Sequence, residues 1–406
     1  MVSKFVFALA CMSFLNACGP GKISGDNNED VIGQKLEAIT PLKTSDGDPK
    51  TKISLYDPVI KKIHQFDLGQ MSVVRTVPVI YPELKHFVLD SADGHYIVDM
   101  SEKHISIFDA QSNTQQNPIQ LFGVPRSAAF RPDLGWLVVY DDLQSVGLLK
   151  LNSEGQVLKS HVFGSIVSGD QSIVSGDLMD DGRLVLALSD NSLAFVDLNA
   201  SLTAVPQRWV ATIQPTALTK INWIAPVPGK PNRLFIKTST QVVLYDHVTQ
   251  SVIQDLAINS VDVMKLSKSY DPHVVLKTGN TSFKLIYTDG NTLLGRSFET
   301  KDEVDPLLNS DLDLKNDWWT FVSLKNFNGR SYYNDVNQKL ERRQLVRYRI
   351  SDKLVIQNKM VPDRSQIKLG TDYFFALYPS VLGKAEKYSI LSTDVVLMKG
   401  FNLKKY

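Results

Sequence analysis

Residues 181–197 read DGRLVLALSDNSLAFVD, and this stretch decides the fold. A turn dipeptide opens it, and the apolar run Leu184–Leu188 follows. The polar residues Ser189–Ser192 make a second turn, and a second apolar run, Leu193–Val196, stops at Asp197. Short apolar runs between Gly, Asn and Asp residues are typical of strands joined by tight turns. The stretch therefore predicts an antiparallel hairpin with both strands buried.

The same unit of turn, strand, turn and strand recurs along the chain. Seven marker residues at corresponding positions lie 40 to 55 residues apart: Gly94, Gly135, Gly182, Arg233, His273, Trp318 and Tyr373. A period of this length with about four short strands per unit is typical of a β-propeller. Residues 51–406 therefore predict a single all-β propeller domain, most simply with seven blades. Two earlier strands, Ile53–Asp57 and Ile63–Asp67, either complete the last blade or belong to an eighth.

The order of Asp-Gly, strand, turn, strand and Asp in residues 181–197 resembles the WD-repeat and YVTN-type β-propeller families. Of the two dipeptides that are specific to WD repeats, Gly-His occurs in one repeat only, at Gly94–His95, and Trp-Asp occurs in none. The resemblance extends over residues 52–406, and it implies an architecture without implying an activity.

The amino terminus has the features of an export signal. Lys4 supplies one positive charge, and the apolar run Phe5–Leu15 follows, which is shorter than the ~20 residues that span a bilayer. The sequence Leu15–Cys18 then resembles the lipobox of bacterial lipoproteins, although Asn16 stands where a small or hydroxylated residue is usual. The resemblance implies a signal peptide over residues 1–17, cleavage before Cys18, and lipid, including acyl chains such as palmitate, on that cysteine.

Cysteine usage supports lipidation of Cys18. The chain has two cysteines, and removing the signal leaves Cys18 alone, so no disulfide is possible within one mature chain. Two or more acyl chains anchor a protein stably. Residues 18–50 are polar and rich in turn residues, which predicts a flexible tether. Gly19 takes the place of the aspartate of an inner-membrane retention signal, so we expect an outer-membrane anchor facing the periplasm.

Composition and motifs point away from several functions. The 44 basic and 43 acidic residues nearly balance, which argues against a nucleic-acid partner. The seven histidines form no HExxH motif, and Gly-x-Ser-x-Gly is absent. Two acidic clusters, one at Asp177–Asp181 and one at Asp305–Asp317, do not match the spacing of a calcium loop. We therefore expect no catalytic residue, no metal site and no cofactor.

The segment from Asn316 to Ile350 is the candidate partner surface. Its aromatic and arginine residues are of the types that dominate protein interfaces: Trp318, Trp319, Phe327, Tyr332, Tyr333, Arg342 and Arg343. Alternation along a strand lets only one of the two adjacent tryptophans face inward.

Three functions are consistent with this sequence. The first is a lipid-tethered, non-catalytic propeller that acts as a scaffold and binds an envelope protein. The second is a propeller hydrolase or lactonase whose site lies in the central channel, assembled from several blades without a linear motif. The third is binding of an envelope glycan through Trp136, Trp223, Trp318 or Trp319. The first is preferred because it needs only the anchor and the repeat.

Overall fold

The structure is a computed structural model, and it does not describe every residue. The described residues are 52–57, 61–67, 70, 72–79, 87–90, 96–100, 104–109, 114–115, 118–120, 125–131, 136–141, 146–151, 157–163, 171–197, 210–215, 217–259, 263–267, 271–300, 307–325, 332–333, 339–340, 342–362, 366–369, 373–378, 384–390 and 395–402. The predicted signal peptide, Cys18 and the predicted tether lie outside them.

Within these residues the secondary structure is entirely β. The first sheet contains β1 (Lys52–Asp57), β2 (Lys62–Asp67) and β3 (Ser72–Pro78). The second contains β4 (Phe87–Asp90), β5 (Tyr96–Met100), β6 (His104–Asp109), β7 (Thr114–Gln115) and β8 (Ile119–Gln120), the last two pairing with β6 as an interrupted outer strand. The third contains β9 (Pro125–Arg131), β10 (Trp136–Asp141), β11 (Val146–Leu151) and β12 (Val157–Phe163).

The fourth to sixth sheets have four strands each in chain order. The fourth contains β13 (Ile173–Leu178), β14 (Arg183–Leu188), β15 (Leu193–Asp197) and β16 (Val210–Ile213). The fifth contains β17 (Ile221–Val227), β18 (Lys230–Thr238), β19 (Gln241–Asp246) and β20 (Ser251–Ala257). The sixth contains β21 (Val263–Ser267), β22 (His273–Lys277), β23 (Ser282–Thr288) and β24 (Leu293–Glu299).

The seventh sheet is interrupted by a separate small hairpin. Its strands are β25 (Leu307–Asp313), β26 (Trp318–Lys325), β29 (Arg342–Arg349) and β30 (Val355–Pro362). The hairpin between β26 and β29 consists of β27 (Tyr332–Tyr333) and β28 (Lys339–Leu340). The eighth sheet contains β31 (Gln366–Leu369), β32 (Tyr373–Tyr378), β33 (Lys384–Ile390) and β34 (Val395–Asn402).

Apolar side chains fill the spaces between neighbouring sheets. One core lies between the fourth and fifth sheets, and its members include Val185, Phe195 and Ile236. The fifth and sixth sheets share another core, around Trp223 and Phe235. β14 of the fourth sheet and β19 of the fifth are almost wholly buried and contain continuous apolar runs, whereas β20 alternates between exposed and half-buried residues. This gradient makes the fourth strand the outer one.

The sheets stand side by side with their first strands together. β9 packs beside β13, β13 beside β17, and β21 beside β25. Successive four-stranded meanders packed in this way form a β-propeller, so the predicted fold class is confirmed. The number of blades, seven or eight, stays a prediction. The two leading strands were expected either to complete the last blade or to belong to an eighth. In the described residues, β1 and β2 form a sheet with β3 instead of joining the eighth sheet, which has four strands of its own.

Aspartates at strand ends and in the turns shape those turns and join neighbouring sheets. At the end of β19, the Asp246 carboxylate accepts hydrogen bonds from the backbone N–H groups of Val248 and Thr249 at 3.0 Å each. In the turn after β13, the Asp180 carboxylate accepts the N–H of Gly229 in the next sheet at 2.7 Å. The repeated Asp of the sequence pattern therefore serves turn geometry and sheet packing.

Candidate functional site

Trp319 belongs to the hydrophobic core. Its side chain is 0% exposed and packs against Phe298 at 5.0 Å, Phe321 at 4.6 Å and Tyr348 at 5.7 Å between ring centroids. Burial raises the pKa of the Tyr348 phenol, with a further rise from the nearby charge of Glu299, and its hydroxyl donates to the Glu299 carbonyl. This aromatic cluster fixes β26 against the sixth sheet, and Trp319 is not part of an accessible surface.

A chain of hydrogen bonds satisfies the buried polar atoms beside this cluster. The Trp319 indole Nε1–H donates to Ser310 Oγ at 3.0 Å. The Ser310 hydroxyl lies 2.6 Å from His273 Nε2, and His273 Nδ1 lies 2.9 Å from the Asp271 carbonyl. If Nδ1 carries the imidazole proton, every donor in this chain has an acceptor. His273 therefore joins β22 of the sixth sheet to β25 and β26 of the seventh.

Trp318 points to the opposite face of β26 and is half-buried. The Arg347 guanidinium carbon lies 4.1 Å from its ring centroid, and that of Arg349 lies 5.4 Å away. Arg349 also forms an ion pair with Asp352 at 3.1 Å. Sequence reasoning missed both arginines, although their spacing around Tyr348 places them on the face opposite the aromatic cluster. Cation–π contacts of this kind hold the indole in one orientation.

The remaining candidate residues lie toward the other end of the same strands. Arg342 pairs with Lys325 and Arg343 with Leu324, whereas Trp318 pairs with Arg349. Seven residues at about 3.3 Å each separate these two ends of β26 by roughly 23 Å. The structure therefore does not gather the predicted surface into one patch.

The hairpin of β27 and β28 extends the end that carries Arg342 and Arg343. Tyr332 pairs with Leu340 and Tyr333 with Lys339, in a small sheet separate from the seventh. Phe327 lies outside the described residues. Of the seven predicted surface residues, four are thus on this hairpin or at the start of β29, and Trp318 is remote from them.

His64 is a buried, neutral histidine of the first sheet. Its side chain is 0% exposed, Nδ1 lies 3.0 Å from Thr76 Oγ1, and Nε2 lies 3.9 Å from Asp57 Oδ2. Burial, with a smaller effect from the charge of Lys62, lowers the pKa of His64 from 6.5 to about 4. The carboxylate of Asp57, the imidazole of His64 and the hydroxyl of Thr76 thus lie in a row. His64 and Asp57 are fully buried inside the sheet packing, so a substrate has no access to them.

The two acidic clusters act within turns. Asp181 forms an ion pair with Arg183 at 2.6 Å; burial alone would raise its pKa, but hydrogen bonds from Arg183 lower it below the usual range. In the second cluster, Asp313 accepts the Asn316 N–H at 3.1 Å, and Asp317 accepts the Ser351 N–H at 3.1 Å. Asp305 is outside the described residues. Among the described side chains, no group of three or more His, Cys, Asp and Glu residues is placed to hold a metal ion.

Searches for similar proteins identify the fold and no family. No protein-family model and no curated protein sequence matches this chain. A solved structure of the dihydro-heme d1 dehydrogenase NirN in complex with DHE is similar with a TM-score of 0.60 and 10% identity, over 98% of this chain and 86% of that one.

Two further solved structures are similar at lower scores. One is the β-propeller domain of Cps50 (Swd1) from Myceliophteria thermophila, with a TM-score of 0.48 and 11% identity over 71% of this chain and 92% of that one. The other is the mitotic checkpoint complex, with a TM-score of 0.44 and 12% identity over 69% and 82%. At such identities only the β-propeller fold is shared. Separately, no helix in the described part of the chain is long and apolar enough to span a bilayer.

Proposed function

We propose that this chain is a membrane-tethered, non-catalytic β-propeller that binds an envelope protein through the insertion in its seventh sheet. The observation that supports this is the length and composition of that insertion. Sixteen residues separate β26 from β29, whereas two to five residues separate the second and third strands of the other four-stranded sheets. Long insertions on a rigid scaffold are where binding residues concentrate.

The charge of the insertion indicates the chemistry of its partner. From Lys325 to Arg343 the chain has five basic and two acidic residues, a formal charge of +3 in a protein whose total is +1. Tyr332, Tyr333 and Phe327 lie in the same segment. Arginine with tyrosine is a composition typical of interface hot spots, and the net charge favours an acidic protein surface.

Membrane attachment in this proposal depends on Cys18. A lipidated cysteine at the mature amino terminus holds the propeller at a membrane face, which we place at the outer membrane on the periplasmic side. Binding at a membrane raises the effective concentration of scaffold and partner for each other. If Cys18→Ala leaves the protein in the membrane fraction, the anchor is elsewhere and this part of the proposal is wrong.

The partner surface is tested by charge reversal with a matched control. Tagged protein is crosslinked in cells, extracted in mild detergent, and its partners are quantified by mass spectrometry. Arg342→Glu with Arg343→Glu should remove a stoichiometric envelope partner. Lys315→Glu with Lys353→Glu makes the same change in charge at exposed residues near the other end of the sheet, and it should retain the partner. Equal retention by both double variants would refute the assignment of the surface.

The glycan alternative retains fewer candidate residues than the sequence suggested. Trp223 and Trp319 are both 0% exposed, so neither is open to a sugar ring. Trp318 is half-buried under two guanidinium groups, and Trp136 lies in β10. The hydrolase alternative stays a prediction, without a described group of residues that favours it over binding.

A further inference from the structure

Lys237 is a buried lysine in the core between the fifth and sixth sheets. It lies in β18 two residues after Phe235, and alternation along a strand puts both side chains on the same face. That face is the one shared with the sixth sheet, because Phe235 packs edge to face on Trp223 and lies in a cluster with Leu276 of β22. Lys237 is only 7% exposed, so its amine belongs to a largely apolar environment.

No described acidic side chain neutralises Lys237. Within the described residues it forms neither an ion pair nor a hydrogen bond. Burial lowers the pKa of the Lys237 amine, and no charged neighbour contributes to that shift. Lysine is almost never buried to this extent unless it is paired. Lys237 is therefore a buried donor that lacks the acceptor such a group usually has.

A second donor of the same kind lies beside Lys237. Trp223 of β17 is its cross-strand partner, and side chains at such paired positions share a face with their Cβ atoms about 5 Å apart. Trp223 is 0% exposed, and within the described part of the chain its indole Nε1–H has no hydrogen-bond partner. The indole of Trp319 differs, because it donates to Ser310. Two neighbouring buried donors therefore face one core without an acceptor.

The other charged residues on this face leave the two donors unpaired. Lys284 pairs with Leu276 across β22 and β23, so it faces the fifth sheet and adds a second positive charge. Glu299 lies farther out, in β24, where it pairs with Ser282 and is exposed. Among the described residues, neither lysine forms an ion pair with Glu299. The face is therefore positively charged where its second strand ends.

We propose that Lys237 and Trp223 bind a small carboxylate at this end of the core between the fifth and sixth sheets. A carboxylate has two oxygens, and they match the two donors: one accepts from the Lys237 ammonium and the other from the indole N–H. Its single negative charge neutralises the one buried positive charge, which removes the cost of an unpaired buried ion. The apolar side chains of the same cluster surround the carbon chain of the ligand.

The ligand enters at the turn between β18 and β19. Lys237 is the penultimate residue of β18, and Thr240 in the turn is exposed. The indole N–H is closed off from solvent, so binding requires the flexible Lys237 side chain to rotate and let the carboxylate lie between the ammonium and the indole. The site lies between other sheets than the insertion of the seventh sheet, so it does not depend on the proposed protein partner.

Urea denaturation of the full-length protein in detergent tests the site, with acetate or butyrate added at constant ionic strength. Either carboxylate should raise the urea midpoint saturably, because it binds the folded chain alone. Lys237→Met keeps a stem of similar length without the charge, so it should have a higher midpoint than the unaltered protein without carboxylate and should not respond to it. Lys220→Met is the matched control, since it removes the same charge from an exposed residue just before β17, and it should keep the response.

Tryptophan fluorescence provides a second measurement that does not depend on unfolding. Acetate should change the emission of the unaltered protein and of Lys220→Met. Trp223→Phe removes the N–H while keeping an aromatic ring, and it should weaken acetate binding about 10-fold or more. If Lys237→Met responds to acetate as the unaltered protein does, or if neither carboxylate acts on the unaltered protein, the amine is merely hydrated and the proposal is wrong. A response to inorganic phosphate equal to that to acetate would overturn the assignment of a carboxylate.

Discussion

Protonation of His64 is predicted to destabilise the protein as the pH falls below neutrality. In the folded protein the pKa of His64 is about 4, lowered from 6.5 by burial and then by Lys62. The nearest carboxylate oxygen, Asp57 Oδ2, is 3.9 Å from Nε2, which is beyond hydrogen-bond distance. The unfolded chain takes up a proton near pH 6.5 while the folded chain stays neutral. Stability is therefore unaffected above pH 6.5 and is lost progressively down to about pH 4.

The size of this effect follows from the change in pKa. Each pKa unit is worth about 1.4 kcal/mol, so a shift from 6.5 to about 4 costs about 3 kcal/mol at pH 4. At pH 5, about 2 kcal/mol of this cost is expressed. A domain of this class has a total stability of about 5 to 15 kcal/mol, so the loss is readily measured.

Urea denaturation at pH 7.5, 6 and 5, followed by tryptophan fluorescence, measures the effect. The control is His64→Asn, whose amide lies where Nδ1 contacts Thr76 but does not take up a proton. Other groups titrate in both proteins, so their contributions cancel in the difference. The unaltered protein should lose about 2 kcal/mol more than His64→Asn between pH 7.5 and 5. Identical pH dependence in the two proteins would refute the assignment of His64 as a buried neutral base.

Three further predictions concern the core and the turns. Ser310→Ala should lower the free energy of unfolding by about 2 to 4 kcal/mol, measured by urea denaturation, because it removes the hydroxyl that hydrogen-bonds two buried ring nitrogens, His273 Nε2 and Trp319 Nε1. A loss below 1 kcal/mol would contradict the hydrogen-bonded chain. Trp319→Ala should cost about 3 to 5 kcal/mol in the same assay, and Trp318→Ala about 1 to 2 kcal/mol, because only the former leaves a buried cavity; comparable losses would be inconsistent with their opposite faces. Gly290→Ala should lower the urea midpoint of unfolding more than Gly229→Ala does. Both glycines have positive φ, but only a Cβ at position 290 would meet a neighbouring side chain, that of Lys230 at 3.2 Å. The reverse order would show that the turn at Gly290 relaxes to accept the Cβ.

The architecture was predictable because its signals are local. The hairpin expected in residues 181–197 is present as β14 and β15, with Arg183 paired to Asp197. A tight turn and a short apolar run are read from neighbours in sequence, and the repeat multiplies that signal across the chain. The strand-ending aspartates were recognised as turn residues, and Asp246 closes its turn by accepting two backbone N–H groups.

The candidate surface was only partly predictable. Alternation required one of Trp318 and Trp319 to face inward, but both faces of a propeller sheet meet another sheet. The aromatic cluster of Phe298 and Tyr348 makes the face of Trp319 the apolar one. The contact of Arg347 and Arg349 with Trp318 on the other face was not predicted, because Trp318 is a cross-strand neighbour about 30 residues away in the chain.

The sequence by itself determined the all-β class, the repeat and the turn chemistry, because each depends on residues within one hairpin. The tertiary structure alone decided which tryptophan is buried, that His273 links two sheets through Ser310, and that Trp318 and Arg342 lie at opposite ends of one strand pair. These outcomes depend on contacts between segments tens of residues apart. Local propensity does not encode such contacts, since they arise only when neighbouring sheets pack and exclude water from their shared face.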